Sequence, residues 1–229
     1  MQSMVREEIL KELPKERVFE EIKKIFLKSK KPSIAFYLLN KFSFKEFGMK
    51  ELFKLQKTDL QQTLQSLDNF SKMKQNAKDE TEILIIMLAL LVQKLPNPQS
   101  FLLQLTNSKK LLKEVLQLHE LSFDLHTNDK VAIAKLAKKI NIRRYSLYLE
   151  ALYPHKREIS HLREEAKKIG VYEKALPALV NGDDLIKQGL KPSKNFQKIL
   201  TALYNKQLEE DIKTKEKLLS FVEAHPSYF

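Results

Sequence analysis

The side chains in this chain that could do chemistry are few, and their spacing separates them by role. His119, Asp124 and His126 sit together in LHELSFDLH, a mixture of imidazoles and a carboxylate that can ligate metal. On a helix, however, His119 and Asp124 point about 140° apart, and no third strong ligand is in register, so solvated or capping roles fit them better. Asp183 and Asp184 form the one acidic pair outside plainly helical surface. Adjacent carboxylates alone cannot converge on two ions, so Asp183 is read as a helix cap and Asp184 as a first-turn residue. No Ser-His-Asp pattern, phosphate-cradling glycine loop, dinucleotide glycine fingerprint or His-Asp dipeptide occurs. The absence of cysteine removes disulfides, thiolate metal sites and thiol catalysis, and fits a reducing compartment such as the cytoplasm.

The chemistry that remains is the binding of negative charge. The formal net charge is +12 and the pI about 9.5, which draws polyanions and makes nucleic acid the default partner. Lys130, Lys135, Lys138, Lys139, Arg143, Arg144, Lys156 and Arg157 face one acid, Glu150, over that stretch. Lys135, Lys138 and Lys139 share a helical face by their spacing, and Arg143 and Arg144 open the next helix beside Tyr145 and Tyr148. A surface tracking a phosphate backbone is one reading; a solvated face with its aromatic rings in the core is the other. A second cluster, Lys191, Lys194 and Lys198, surrounds Ser193, which is placed to cap a helix whose free N–H groups suit phosphate. Its bland counterpart is a helix-turn-helix packing unit with exposed lysines.

These residues need a scaffold, and the composition points to an all-α one. With four Gly, eight Pro and 43% apolar residues, and no alternation of β-branched with polar residues, a sheet is excluded and the chain can build a sizeable core. Pro14 starts a helix that carries Val18, Ile22, Ile25 and Phe26 as a buried stripe and ends near Ser29. Pro32-Ser33 starts another, SIAFYLLNKF, apolar enough to be largely internal. A short helix follows from Ser43, and another from Asp59 to Phe70. After a polar loop over 71–82 comes ILIIMLALLVQKL, apolar all round and therefore a central core helix. Pro96-Asn97-Pro98 stops it, and helices follow over 108–125, 129–140 and 143–153. A charged stretch over 154–176 and a last helix over 214–223 complete the chain. The longest apolar run, Ile83 to Val92, is half of what a membrane span requires, and the N-terminus has no signal-peptide pattern. The expected architecture is an elongated assembly of two to three helical lobes without a sheet: 1–70, 71–153 and 154–229.

Two stretches resemble one family, the bacterial tRNA nucleotidyltransferases and poly(A) polymerases, and in particular the CCA-adding members. ERVFEEIKKIF (16–26) is similar to that family's neck-helix motif through Glu16, Arg17, Glu21 and Lys24-Ile25. GDDLIKQGLKPSKNFQKIL (182–200) resembles its tail motif through Gly182, Asp184, Leu185, Gly189, Leu190, Pro192, Ile199 and Leu200, with Ser193, Lys194 and Gln197 standing where the family has Gly, Pro and Gly. The three regions are then neck-like, body-like and tail-like. The Gly-Ser turn and Asp-x-Asp pair of the family's catalytic head do not occur here, and the chain opens just before the neck-like helix. The resemblance implies the C-terminal half of such an enzyme, cut or separately encoded. It implies binding of the tRNA acceptor and T-arm, for which the charge-read clusters Lys135, Lys138, Lys139, Arg143, Arg144 and Lys191, Ser193, Lys194, Lys198 are the candidates, with a head domain or subunit as partner. Glu16, Arg17 and Glu21 would orient the neck helix against that head. No cofactor is expected in this chain; magnesium with ATP or CTP is implied for the complete enzyme alone, and the chain by itself should not transfer nucleotides. The RNA-binding part of a poly(A) polymerase, or a helical protein-protein adaptor with a basic surface, are the rival readings.

Overall fold

The computed structural model describes residues 14–42, 49–121, 129–190 and 195–224. Among them it contains thirteen α-helices, one short 3-10 turn and no strand. The chain divides into two compact units that alternate in sequence, the first from residues 1–125 and 143–160, the second from 126–142 and 161–229.

The first unit is organised around the sequence's most apolar segment. Helix α5 (Glu80–Val92) buries every residue from Leu84 to Val92, so no face of that stretch meets water. Asp79 caps it by accepting from Glu82 N–H at 2.8 Å. Packed in the same unit are α1 (Lys15–Lys28), α2 (Pro32–Lys41), α3 (Lys50–Phe53), α4 (Lys57–Ser71), α6 (Pro98–Leu105), α7 (Lys109–Glu120) and α9 (Ile142–Leu152, from Arg143 onward). α1 starts behind Pro14 and ends at Ser29, as its sequence predicts, with Ile22 and Phe26 buried. Val18 and Ile25 are only half-buried.

Side chains from α4 and the following loop fix the two ends that meet between α1 and α2. The Lys74 ammonium donates to the carbonyls of Phe26, Leu27 and Ser29 at 2.9–3.0 Å. It thereby closes the C-terminus of α1, where the helix dipole favours a cation. Ser71 Oγ donates to the Ser29 carbonyl as well. Burial lowers the Lys74 pKa from its ordinary value. At the start of α2 no local side chain caps; buried Asp68 accepts from Ser33 N–H at 3.0 Å and from Ser33 Oγ at 2.6 Å.

α2 is not the internal helix its apolarity suggests. Only Pro32 and Phe36 are buried, while Ile34, Tyr37 and Leu38 are 54%, 65% and 44% exposed. A helix ten residues long that packs along one stripe leaves its other apolar side chains outward whatever their type. Two helices also appear where the sequence suggests only a stop and a charged stretch: α6, and α10 (Arg157–Lys168). α6 begins with Asn97 accepting from Ser100 N–H and with Pro98 at its first position, so the residues that end α5 also start the next helix. The short helix expected from Ser43 lies partly outside the described residues.

The second unit holds α8 (Lys130–Lys139), the C-terminal part of α10, α11 (Gly182–Lys187), α12 (Phe196–Glu209) and α13 (Lys215–Ala224). Its core gathers Val180, Leu185, Ile199, Leu203, Ile212 and Leu218, with Leu190 and Leu200 packed against them. The apolar positions of the tail-like motif are therefore core residues. α11 is capped by Asn181, not by Asp183. Asn181 Oδ1 accepts from Asp184 N–H at 3.1 Å while the Asp184 carboxylate accepts from Asn181 N–H at 2.9 Å, a reciprocal capping box that leaves Asp183 exposed. α11 ends as the sequence predicts, at Gly189 with φ of 84°. Leu190 N–H donates to the Leu185 carbonyl and Gly189 N–H to the Ile186 carbonyl, the paired bonds of a left-handed helix end.

Candidate nucleic-acid interface

The cations singled out in the sequence divide between the two units. α8 packs against α12 in the second unit, so Lys135, Lys138 and Lys139 belong to the same unit as Lys198, although their positions in the sequence suggest two lobes. Lys135 donates to Glu209 at 2.9 Å, which offsets its charge. Lys138 is exposed, with Nζ 4.0 Å from the centre of the Tyr204 ring. That position holds the stem while leaving the positive charge in place. Tyr204 is itself anchored, its hydroxyl donating to the Leu176 carbonyl at 3.1 Å. Lys139 and Lys198 are exposed. Lys191, Ser193 and Lys194 lie outside the described residues; α12 is described from Phe196, with Asn195 at its N-cap.

Arg143 and Arg144 serve a different purpose from the one expected. Both belong to the first unit, and both turn onto Glu82, whose side chain is 3% exposed. Arg143 donates through both terminal nitrogens to the two Glu82 oxygens, at 2.6 and 2.9 Å. Arg144 reaches Glu82 at 3.3 Å and Glu114 at 2.7 Å. Lys78 N–H adds a further bond to Glu82 at 2.7 Å. A planar guanidinium suits this bidentate task, and it ties α9 to the start of α5 and to α7. Neighbouring Tyr145 and Tyr148 are core residues; burial pushes the Tyr145 hydroxyl up to about 12 and raises that of Tyr148 too. An Arg-Arg pair beside tyrosines reads identically in sequence whether it faces phosphate or a buried carboxylate.

The neck-like residues occupy one end of α1. Glu16, Arg17 and Glu21 are exposed and border a cleft of about 700 Å³ whose apolar floor includes Val18, Ile22, Ile25, Leu39 and Met49. Glu21 pairs with Lys24 at 2.7 Å. On α2 of the same unit Ile34, Tyr37 and Leu38 are exposed apolar side chains.

A second cleft, of about 780 Å³, lies between α4 and the end of α9 and is lined by side-chain amides together with Tyr153 and His155. Nothing in the sequence patterns points to it, because glutamines scattered over α4 carry no charge signal. Among the described residues no group of three His, Asp or Glu side chains could hold a metal ion. His119 lies on α7, and Asp124 and His126 fall outside the described residues. No helix among the described residues is long and apolar enough to cross a membrane.

The chain is α-helical throughout its described residues and carries a formal net charge of +12. Residues 1–55 match the family described as the probable RNA- and SrmB-binding site of polymerase A. This stretch is similar to that RNA-binding region, in line with the resemblance carried by Glu16 to Phe26. No curated protein and no solved structure matches the chain.

Proposed function

We propose that the chain is the RNA-gripping part of a tRNA nucleotidyltransferase of the CCA-adding kind, holding the tRNA acceptor and T-arm while a head domain adds the nucleotides. The observation that carries this is the match of residues 1–55 to an RNA-binding family in a chain of net charge +12. Lys138, Lys139 and Lys198 supply exposed positive charge in the second unit, which positions RNA by its phosphates without reading sequence. The tail-like motif contributes the turn at Gly189 and the core under it. The exposed apolar surface of α1 and α2, bordered by Glu16, Arg17 and Glu21, is where the head would seat. Magnesium and the ATP or CTP would be bound by that head.

A minihelix of the acceptor and T-arm tests the reading. It should compete for the chain as effectively as whole tRNA does, whereas an anticodon stem-loop of equal length should not. Equal competition by both would leave general RNA binding and overturn the acceptor-arm assignment. Incorporation of labelled ATP or CTP into tRNA by the purified chain would overturn the division of labour with a head.

A further inference from the structure

We propose that the amide-lined cleft of the first unit holds one unpaired adenine of RNA, stacked on Tyr153 and read by the side-chain amides of Gln65 and Gln93. The inference rests on the RNA-binding reading and adds a base-recognising site to it.

The lining of the cleft contains no carboxylate; its one permanent charge, Lys94, lies 3.9 Å from Asp59, which offsets it. A polar, near-neutral hollow of this kind admits a base through hydrogen bonding and stacking. Its amides are held in place from behind. Gln65 Nε2 donates to Asn69 Oδ1 at 3.0 Å, and Asn69 Nδ2 donates to the Ala151 carbonyl at 3.0 Å. Gln93 Nε2 donates to Ser66 Oγ at 3.0 Å, and Ser66 Oγ in turn donates to the Thr63 carbonyl. Each glutamine thus uses one N–H for anchorage and keeps a carbonyl oxygen and a second N–H. An acceptor beside a donor on one planar amide is complementary to N6 and N7 of adenine.

The aromatic component stands at the end of α9. Tyr153 is 44% exposed; Lys156 Nζ lies over its ring, 5.2 Å from the centre, so a base would stack on the opposite face. Next to it, His155 has φ of 66°, a left-handed backbone that is uncommon for a residue with a side chain and that recurs at binding sites. This turn sets both rings at the rim of the cleft. Aromatic faces with amide edges are the general means by which proteins hold splayed single-stranded bases.

The test uses the full chain and two fluorescein-labelled RNA hexamers at low salt, one of adenosines and one of abasic ribose units with the same phosphates. The adenosine hexamer should bind roughly 5- to 150-fold more tightly, the range for stacking one base. Tyr153→Ala should abolish that difference, and Gln65→Leu should reduce it, with the abasic affinity unchanged in both. Tyr153 and Gln65 are exposed, so both variants should fold. Equal binding of the two hexamers by the unaltered chain overturns the base site while leaving RNA binding intact, as does a preference that survives in Tyr153→Ala. Binding of neither hexamer also overturns the base site, and tRNA binding by the same chain then tests the RNA-binding reading separately.

Discussion

Replacing Arg143 by Met should destabilise the first unit without weakening its hold on RNA. Arg143 donates to both Glu82 oxygens, at 2.6 and 2.9 Å, on a carboxylate that is 3% exposed. Removing one partner of a buried pair costs about 3–5 kcal/mol, because the other charge is left uncompensated. Arg144 at 3.3 Å and Lys78 N–H at 2.7 Å remain on Glu82, which places the cost near the lower end, about 3 kcal/mol. At about 2–4 °C per kcal/mol for a protein of this size, the unfolding temperature of the first unit should fall by roughly 6–12 °C. Scanning calorimetry reads the shift, and adding Glu82→Met should recover part of it, since apolar side chains replace a buried pair at little cost. The tRNA affinity of the folded variant, measured well below its transition, should keep the salt dependence of the unaltered chain. A variant as stable as the original but with a salt slope lower by about one would show that Arg143 contacts phosphate and that the ion pair is incidental.

Lys74→Met should lower stability by about 1.5–3 kcal/mol, since it removes a charged donor from three carbonyls at the end of α1; urea midpoints measure this, and a change within error would mean water replaces the ammonium. Gly189→Ala should cost about 1–2 kcal/mol because its φ is 84°, whereas Gly182→Ala should cost little, since nothing lies within 4 Å of an added Cβ there; equal effects would contradict the turn. The hydrogen bond from Lys215, at 2.9 Å, with that from Asn181 N–H, holds the Asp184 carboxyl below its ordinary value. A depressed folded pKa contributes stability that is complete above the unfolded value, near pH 4, and lost as pH falls through the folded one. Denaturant titrations of the second unit should therefore weaken below pH 4, and Asp184→Asn should flatten that acid limb; an unchanged limb would remove any such role for Asp184.

Much of the helical order is legible in the sequence because it rests on local rules. Ser108 and Asp129 stand at the helix starts where the sequence puts them, Gly189 turns the chain, and the apolar run Leu84 to Val92 can only be a core helix, although that helix begins at Glu80, inside the stretch read as a loop. What is not legible is set by partners distant in sequence. Asp68 caps α2 from 35 residues away and Lys74 closes α1 from 45 or more. Arg143 meets a carboxylate 61 positions earlier. No periodicity encodes such pairings, so a charge headed for a buried acid resembles one headed for RNA. Asn181 and Asp183 are equally good caps by type, and the reciprocal bond with Asp184 decides between them. The amide cleft is invisible for the same reason, since it is assembled from α4 and the end of α9, which are separated by most of the first unit.

RNA binding by the lysines of the second unit is the claim on which the proposed function turns. tRNA affinity for the full chain should be measured against salt concentration, with and without Lys138→Gln, Lys139→Gln and Lys198→Gln combined. The unaltered chain should bind tightly at low salt with a steep logarithmic dependence, and the triple variant should bind more weakly, with a slope shallower by about one for each phosphate that is no longer neutralised. Identical affinity and slope for the two proteins would show that this positive charge is solvated surface and that RNA is held elsewhere or not at all.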